Sequence, residues 1–544
     1  MYHYADAVEA LADMLGDDHV LTHAGRHRSW RDFDDRAARL GQAFADAGLK
    51  PGSKVGLLLY NCSEYYEAFL AALKMRMVPF NINYRYVGAE LAYLLDNSDC
   101  EAIVYHRSLA GIVDEVLPSA PLVKLALEVD DGEGARNGAR DYETALAAVA
   151  PAPRIARRPD DYHLMYTGGT TGLPKGVICE VTPWTTGLVA MYAKSVLGLD
   201  PPPAELPQLL GTVKVLRSRG VVPVIMPSSP LMHTAGLANS LPFQLLGGRC
   251  VTLPNRNFDP MEIWRTIASE RVMATVIVGD AFARPMLTAL DEAKARGETL
   301  DLTSLKLVVS SGVLWSQGVK EKMLEWLDAT LIDGVGATEG PMALQISRRG
   351  QSGTTAQFIP LAETRLFAED GREIPKDSDE PGLIAAGGTA LPAGYYKDPE
   401  KTAKTFRVVD GQRLAFIGDW GRWNRDGTMQ LLGRGSACIN TGGEKVYPEE
   451  VEQVLGSHPD VADCLVIGLP DERFGQRVVA LVAGRRADAG LAAALAEFVQ
   501  GKMAGYKRPR AFFEVGSIPR MPNGKADYKA ARAIAEQLAL QQAK

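Results

Sequence analysis

Short apolar runs that alternate with amphipathic stretches constrain this chain more than any other feature. Residues 54–60 (KVGLLLY) read as a buried strand, Ser63 as the cap of a helix reaching Arg76, and 78–82 as strand again. Residues 89–96 then read as helix and 102–105 as strand. Alternation of this kind predicts βαβ units and largely parallel sheets. After a Pro-rich stretch at 201–207 the pattern resumes at 274–278, 305–309 and 329–332, the last running into GVGATEG. Beyond Glu363 the character changes. Asp370-Gly371 and Asp426-Gly427 lie between extended runs and read as hairpin turns of antiparallel sheet. Past GRG at 433–435 the pattern becomes that of a small α+β unit, with strands near 462–467, 478–482 and 511–515 and a helix near 491–499. The expected fold class is α/β. A large N-terminal domain of βαβ sheets with an antiparallel, β-barrel-like part spans 1–433, and a small α+β domain spans 434–544.

With 544 residues the chain exceeds one compact core. A net charge of −7 argues against a nucleic-acid partner, although it leaves room for a local basic pocket that holds phosphates. The six cysteines are scattered, without a CxxC pair or zinc spacing, as in a reducing cytoplasm. The first residues, MYHYADAVEALADML, lack the basic start and long apolar run of a signal peptide, and no run of apolar residues is long enough to span a membrane.

Residues 166–177, YTGGTTGLPKGV, carry the chemistry. Gly168, Gly169 and Gly172 let backbone N–H groups converge on an anion, Thr167, Thr170 and Thr171 add hydroxyl donors, and Lys175 adds a mobile positive charge. Pro174 before Lys175 rules out the Gly-Lys-Ser/Thr of a Walker A loop. The segment resembles the phosphate loop of the adenylate-forming superfamily, which includes acyl-CoA synthetases, luciferases and peptide-synthetase adenylation domains. Gly169 stands where the superfamily usually has Ser, as in a subgroup acting on steroid side chains and other bulky acids.

Further motifs follow in the superfamily's order. Residues 335–340, VGATEG, resemble the motif that binds adenine. By that likeness Val335 and Gly336 line the adenine, Thr338 meets the α-phosphate and Glu339 holds Mg²⁺. ATP needs a divalent cation, and Mg²⁺ prefers a hard carboxylate with phosphate oxygens. Val335 replaces the usual aromatic ring. Ser311 and Gly312 resemble the adenine-side loop, Asp419 the acid that accepts both ribose hydroxyls, and Arg434 the ribose arginine. Lys525, in PNGK, resembles the terminal lysine that bridges substrate carboxylate and nucleotide; by itself PNGK reads as a hairpin turn with a solvated lysine. Gly442, Gly443 and Lys445, in GGEKVYP, resemble the segment that approaches the acyl-adenylate after the C-terminal domain rotates, with the hinge at Ser436 in place of the usual Asp or Lys. His233, in PLMHTAG, resembles the histidine beside the acyl site.

These likenesses imply an acid–thiol ligase that uses ATP, Mg²⁺ and coenzyme A. It would turn a carboxylic acid into an acyl-adenylate and then an acyl-CoA. NINYRY at 81–86, SSPLMH and GRGSACINTGGEKVYPEEVE are similar to the steroid-side-chain subgroup, which implies a fatty or bulky lipid acid. Trp184, Gly236, Val278, Gly279 and Val313 are candidate pocket walls, Asp280 is the nearest candidate partner for an amino acid's ammonium, and Lys507 and Arg508 are candidates for CoA phosphates. Two other readings stay open: an acyl-AMP ligase loading a carrier on a separate chain, since no DSL-type carrier serine follows Lys525, and a weakened acyl or nucleotide sensor. A homodimer is left open.

Overall fold

The computed structural model describes residues 1–133, 140–167, 174–312, 315–351, 357–434, 437–441, 444–471, 475–485, 490–500, 502–503, 505–521 and 525–542, with positions 434, 440, 444, 445, 475 and 542 described by backbone alone. Three sheets organise the chain. In the first, of eight strands, Lys54–Leu58 lies between Val78–Asn81 and Cys100–His106, all parallel. Val78–Asn81 pairs in parallel with Tyr162–Thr167, which turns back antiparallel into Lys175–Glu180. The continuous apolar character of these strands reflects burial on both faces, as helices cover parallel sheets.

The second sheet, of fifteen strands, joins both characters read from the sequence. Val224–Pro227, Ala274–Ile277, Leu307–Ser311 and Thr330–Ala337 are parallel neighbours. A two-residue turn then reverses the chain into Gly340–Ser347, so antiparallel pairing begins before Glu363. It continues through Gln357–Pro360, Met429–Arg434, Gln412–Trp423 and Gly382–Ala386. Gly371 and Gly427 occupy the expected hairpin turns with φ of +88° and +81°. Among the described residues the strand path has two ends, so the antiparallel part extends the parallel one as an open sheet and does not close into a barrel.

Helices fill the space between these sheets. Every residue of Ser63–Lys74 except Glu64 is buried. Its two buried charges are matched: Glu67 accepts from Arg36 at 2.9 Å and from the Tyr142 hydroxyl at 2.8 Å, and Lys74 donates to Glu9 at 2.7 Å and Asp34 at 2.6 Å. Losing one partner of such a pair would leave an uncompensated buried charge. Ser63 is the first helical residue and Cys62 holds the cap position without a side-chain bond, which corrects the expected Ser63 cap. Ser29 does cap Trp30–Asp46, its hydroxyl accepting the Asp32 N–H at 3.1 Å.

The third sheet has five strands and belongs to the C-terminal part. Val461–Asp471 and Gly475–Gly484 form a long antiparallel pair, and Ala511–Glu514 joins it in parallel. Leu491–Phe498 and Tyr528–Gln542 pack against it. All six cysteines are free thiols, and no helix among the described residues is long and apolar enough to cross a membrane.

Candidate functional site

The phosphate-loop candidate is framed by a strand pair in which Thr167 faces Lys175 and Tyr166 faces Gly176. Gly176 has a local reason: a Cβ there would meet the Tyr166 ring at 3.0 Å. Gly168, Gly169, Thr170, Thr171 and Gly172 lie outside the described residues. Lys175 is half-buried, and its ammonium pairs with Asp398 at 2.5 Å. Asp398 also caps Pro399–Thr405, and Lys175 and the Lys401 N–H hold its carboxyl below the usual carboxylate range.

Val335 and Gly336 end the strand Thr330–Ala337, and Thr338 and Glu339 form the turn into Gly340–Ser347. A bulge between Val335 and Gly336 bends this strand next to the turn. A Cβ at Gly336 would press on the Pro341 Cα at 2.9 Å, so the turn closes only over glycine. The Thr338 hydroxyl meets that of Thr234 at 2.7 Å, and Tyr395 donates its hydroxyl to Glu339 Oε1 at 2.6 Å. Thr234 opens the helix Thr234–Leu245, whose cap position is His233. The motifs PLMHTAG and VGATEG, far apart in sequence, therefore meet through two threonines.

His233 is held at about pKa 4, first by burial, then by the positive charges of Arg85 and Lys525. Its Nε2 is buried and, among the described residues, has no hydrogen-bond partner. Lys525 is exposed and directly precedes Ala526, which bridges to Arg520. Its charge lowers the His233 value, after burial and Arg85. Gly312 has φ of +95° just past Leu307–Ser311, with open space where a Cβ would be.

Asp419 and Arg434 face each other across the ladder of Gln412–Trp423 and Met429–Arg434. Both ribose candidates thus share one register position, with Asp419 half-buried. Gly442, Gly443, Ser436 and Val313 lie outside the described residues, and Lys445 is described by its backbone alone, opposite Asn440. Lys507 pairs with Glu450 at 2.5 Å, and the Arg508 guanidinium donates to the Met503 carbonyl, so both CoA candidates have partners within the C-terminal part. At Gly236 the Pro230 carbonyl oxygen lies 2.3 Å from where a Cβ would be, so close packing against the Pro230 backbone requires glycine there. Asp280 accepts from Ser316 N at 2.9 Å, Ser316 Oγ at 2.7 Å and Arg284, and is thereby consumed.

Sequence reasoning missed a crevice of about 650 Å³ beside the His233 segment, at the carboxyl ends of strands from both large sheets. Tyr60 is stacked on His106 at 5.2 Å and tilted against Tyr84 at 4.6 Å, while Arg256 lies 5.0 Å over Tyr60 and Arg85 4.8 Å over Tyr84. It also missed Thr234, Tyr395 and Asp398. Their signals are tertiary: Tyr395 is 56 positions from Glu339, and Asp398 is 223 from Lys175.

Among the described residues no group of three or more His, Cys, Asp or Glu could hold a metal ion. A lone Glu339 carboxylate still fits a cation carried by phosphate oxygens, because Mg²⁺ keeps few protein ligands.

Comparison with known proteins places this geometry in context. The family model described as "AMP-binding enzyme" matches residues 8–396, and that of the "AMP-binding enzyme C-terminal domain" matches 450–525. A 3-oxocholest-4-en-26-oate–CoA ligase of Rhodococcus rhodochrous is 39% identical over 545 residues, covering 97% of this chain and 95% of that protein. A medium/long-chain-fatty-acid–CoA/3-oxocholest-4-en-26-oate–CoA ligase of Mycolicibacterium smegmatis is 38% identical, covering 98% and 96%. The crystal structure of the anthranilate CoA ligase AuaEII with anthranoyl-AMP matches with a TM-score of 0.84 at 23% identity, over 99% of this chain and 98% of that one, a likeness of fold.

Proposed function

This chain belongs to the AMP-binding enzyme family, and we propose that it is an ATP-dependent acyl-CoA ligase for a fatty or bulky steroid side-chain acid. The observation that carries this reading is the meeting of the His233 segment with the Thr338–Glu339 turn through the hydroxyls of Thr234 and Thr338, and the effect of the Lys525 charge on His233 supports it. The substrate carboxylate attacks the α-phosphorus of ATP and pyrophosphate leaves, giving the acyl-adenylate. That step brings negative charge toward negative charge, and the Lys525 ammonium offsets it where it develops. Thr338 offers a hydroxyl to the α-phosphate, Lys175 exchanges Asp398 for the outer phosphates, and Asp419 with Arg434 holds the ribose. Glu339 would hold Mg²⁺, which neutralises phosphate charge when bound.

CoA thiolate then attacks the acyl carbonyl, the acyl–phosphate bond breaks and AMP leaves. His233, neutral at physiological pH, orients the carboxyl end; it is too weak a base to gather the thiol proton, which passes to water or the departing phosphate. The aromatic and arginine-lined crevice beside Pro230 suits the nucleotide end of CoA, with Arg85 toward phosphate. The C-terminal part, from about residue 434, rotates between the two steps, bringing Gly442, Gly443 and Lys445 to the acyl-adenylate. The consumption of Asp280 by Arg284 and Ser316 supports an acid without an α-ammonium.

Incubation with MgATP, CoA and a panel of fatty, aromatic and sterol acids, read by mass spectrometry, tests the proposal. AMP and acyl-CoA should appear together for the lipid acids; AMP without thioester would favour a carrier-protein acceptor. A second expected outcome concerns ribose. Asp419→Ala removes a charged acceptor of two hydroxyls, so KM for ATP should rise about tenfold or more while the order of acid preference holds. An altered acid profile at unchanged ATP dependence would count against this assignment.

A further inference from the structure

We infer that Asn81 is a positioning residue of the adenylation step, locking the entry to the phosphate loop against the segment that carries His233. The inference rests on the ligase reading and goes beyond it. Asn81 ends the strand Val78–Asn81 and is 6% exposed. Its Nδ2 donates to the Tyr166 carbonyl at 2.9 Å and to the Met232 carbonyl at 2.6 Å. Its Oδ1 accepts the Tyr166 N–H at 2.6 Å. These bonds use both amide donors and fix which end of the amide is nitrogen.

The two segments joined this way are the two halves of the chemistry. Tyr166 directly precedes Thr167 and the phosphate-loop glycines, and Met232 directly precedes His233, whose neighbour Thr234 meets Thr338. The strand's continuation brings Arg85 close enough to act on His233. One buried amide therefore sets the distance between the loop for ATP and the segment for the acid. Core packing alone would be served by any apolar residue of this volume; only an amide satisfies two carbonyls and one N–H together. Asp is nearly isosteric but puts an oxygen against two carbonyl oxygens. Unless it takes a proton, it forces the two segments apart.

Asn81→Asp separates the alternatives. Adenylation, read as pyrophosphate release in the full-length enzyme, should slow by about tenfold or more with a raised KM for ATP, since a charged mismatch replaces two satisfied bonds. Transfer from supplied acyl-adenylate to CoA should change by less than about threefold, because pyrophosphate-side contacts no longer matter. The adenylation defect should shrink as pH falls from about 8 to about 6, because a buried carboxyl between carbonyls gains a proton that can donate. An unchanged adenylation rate, or an equal loss of both half-reactions with no pH recovery, overturns the inference. If Asn81→Asp does not fold, Asn81→Ser is read in the same assays, and failure of both to fold assigns Asn81 to the fold alone and also overturns it. Wild-type protein that makes no acyl-adenylate from any acid removes the ligase reading, and this inference with it. A working wild type with an unaffected variant removes this inference alone.

Discussion

Replacing Lys525 by alanine lowers acyl-adenylate formation by two or more decades and leaves acyl transfer from supplied acyl-adenylate to CoA near the wild-type rate. Two charges about 4 Å apart interact by about 4 kcal/mol at an effective dielectric of 20. Each decade of rate corresponds to about 1.4 kcal/mol, so an ammonium that keeps about three-quarters of its effect against solvent accounts for two decades. The asymmetry follows from where charge develops. Adenylation drives an anion onto a triphosphate, whereas the second step attacks a carbonyl already activated. The same substitution has a spectroscopic consequence. Burial holds the His233 imidazole below its ordinary value, and Arg85 and then Lys525 push it further down. Removing the ammonium favours the protonated ring, so the His233 pKa should rise modestly above about 4 while burial keeps it below the usual histidine range. NMR titration reads that shift, and Arg85→Ala should produce it too. Equal loss of both half-reactions, with an unmoved His233 titration, would show that Lys525 does not face this histidine in solution.

Much of the scaffold was legible because it is written in local pattern. Continuous apolar runs became parallel strands buried on both faces, and Asp-Gly pairs became the turns at Gly371 and Gly427. The strand pair that frames the phosphate-loop candidate was not read from the sequence: Thr167 and Lys175 face each other because Tyr162–Thr167 and Lys175–Glu180 pair antiparallel. What was illegible depends on contacts that only the folded chain creates. Nothing near Lys507 announces that Glu450 takes its charge, and nothing near Gly236 announces that the Pro230 carbonyl fills its side-chain space. Ser63 looked like a cap, yet backbone geometry put it one residue inside the helix. The bond from Asn81 to Met232 spans 151 positions and joins the end of a strand in one sheet to the segment that follows a strand of another. Candidate chemistry could be named one motif at a time; the distances between motifs could not.

Lys320→Met should destabilise the protein by about 3–5 kcal/mol at pH 8, the usual result of stripping one partner from a buried ion pair. Lys320 and Asp333 are paired at 2.8 Å with side chains only 3% and 7% exposed. The same ammonium bonds Gln345 and lies 5.4 Å over the Trp315 ring. Burial pushes the Asp333 carboxyl up to about 6 even though Lys320 opposes the rise, and the charge of Asp280 adds to it. With its folded value above the unfolded one, this group stabilises the fold below about pH 4, and that contribution fades as pH rises through 6. Without Lys320 the folded value climbs further, so the deficit of the variant should be largest at pH 8 and smaller at pH 6. Urea midpoints at both values measure the difference. A matched Lys320→Met/Asp333→Leu double variant should recover much of the loss, since apolar residues of similar volume tolerate this environment. The strand that Asp333 anchors runs four residues further to Ala337 and leads into the turn of Thr338 and Glu339, so the buried pair also holds that turn in place. A deficit under about 1 kcal/mol, or one of equal size at both pH values, would mean that water reaches Asp333 and that the turn is held by its backbone alone.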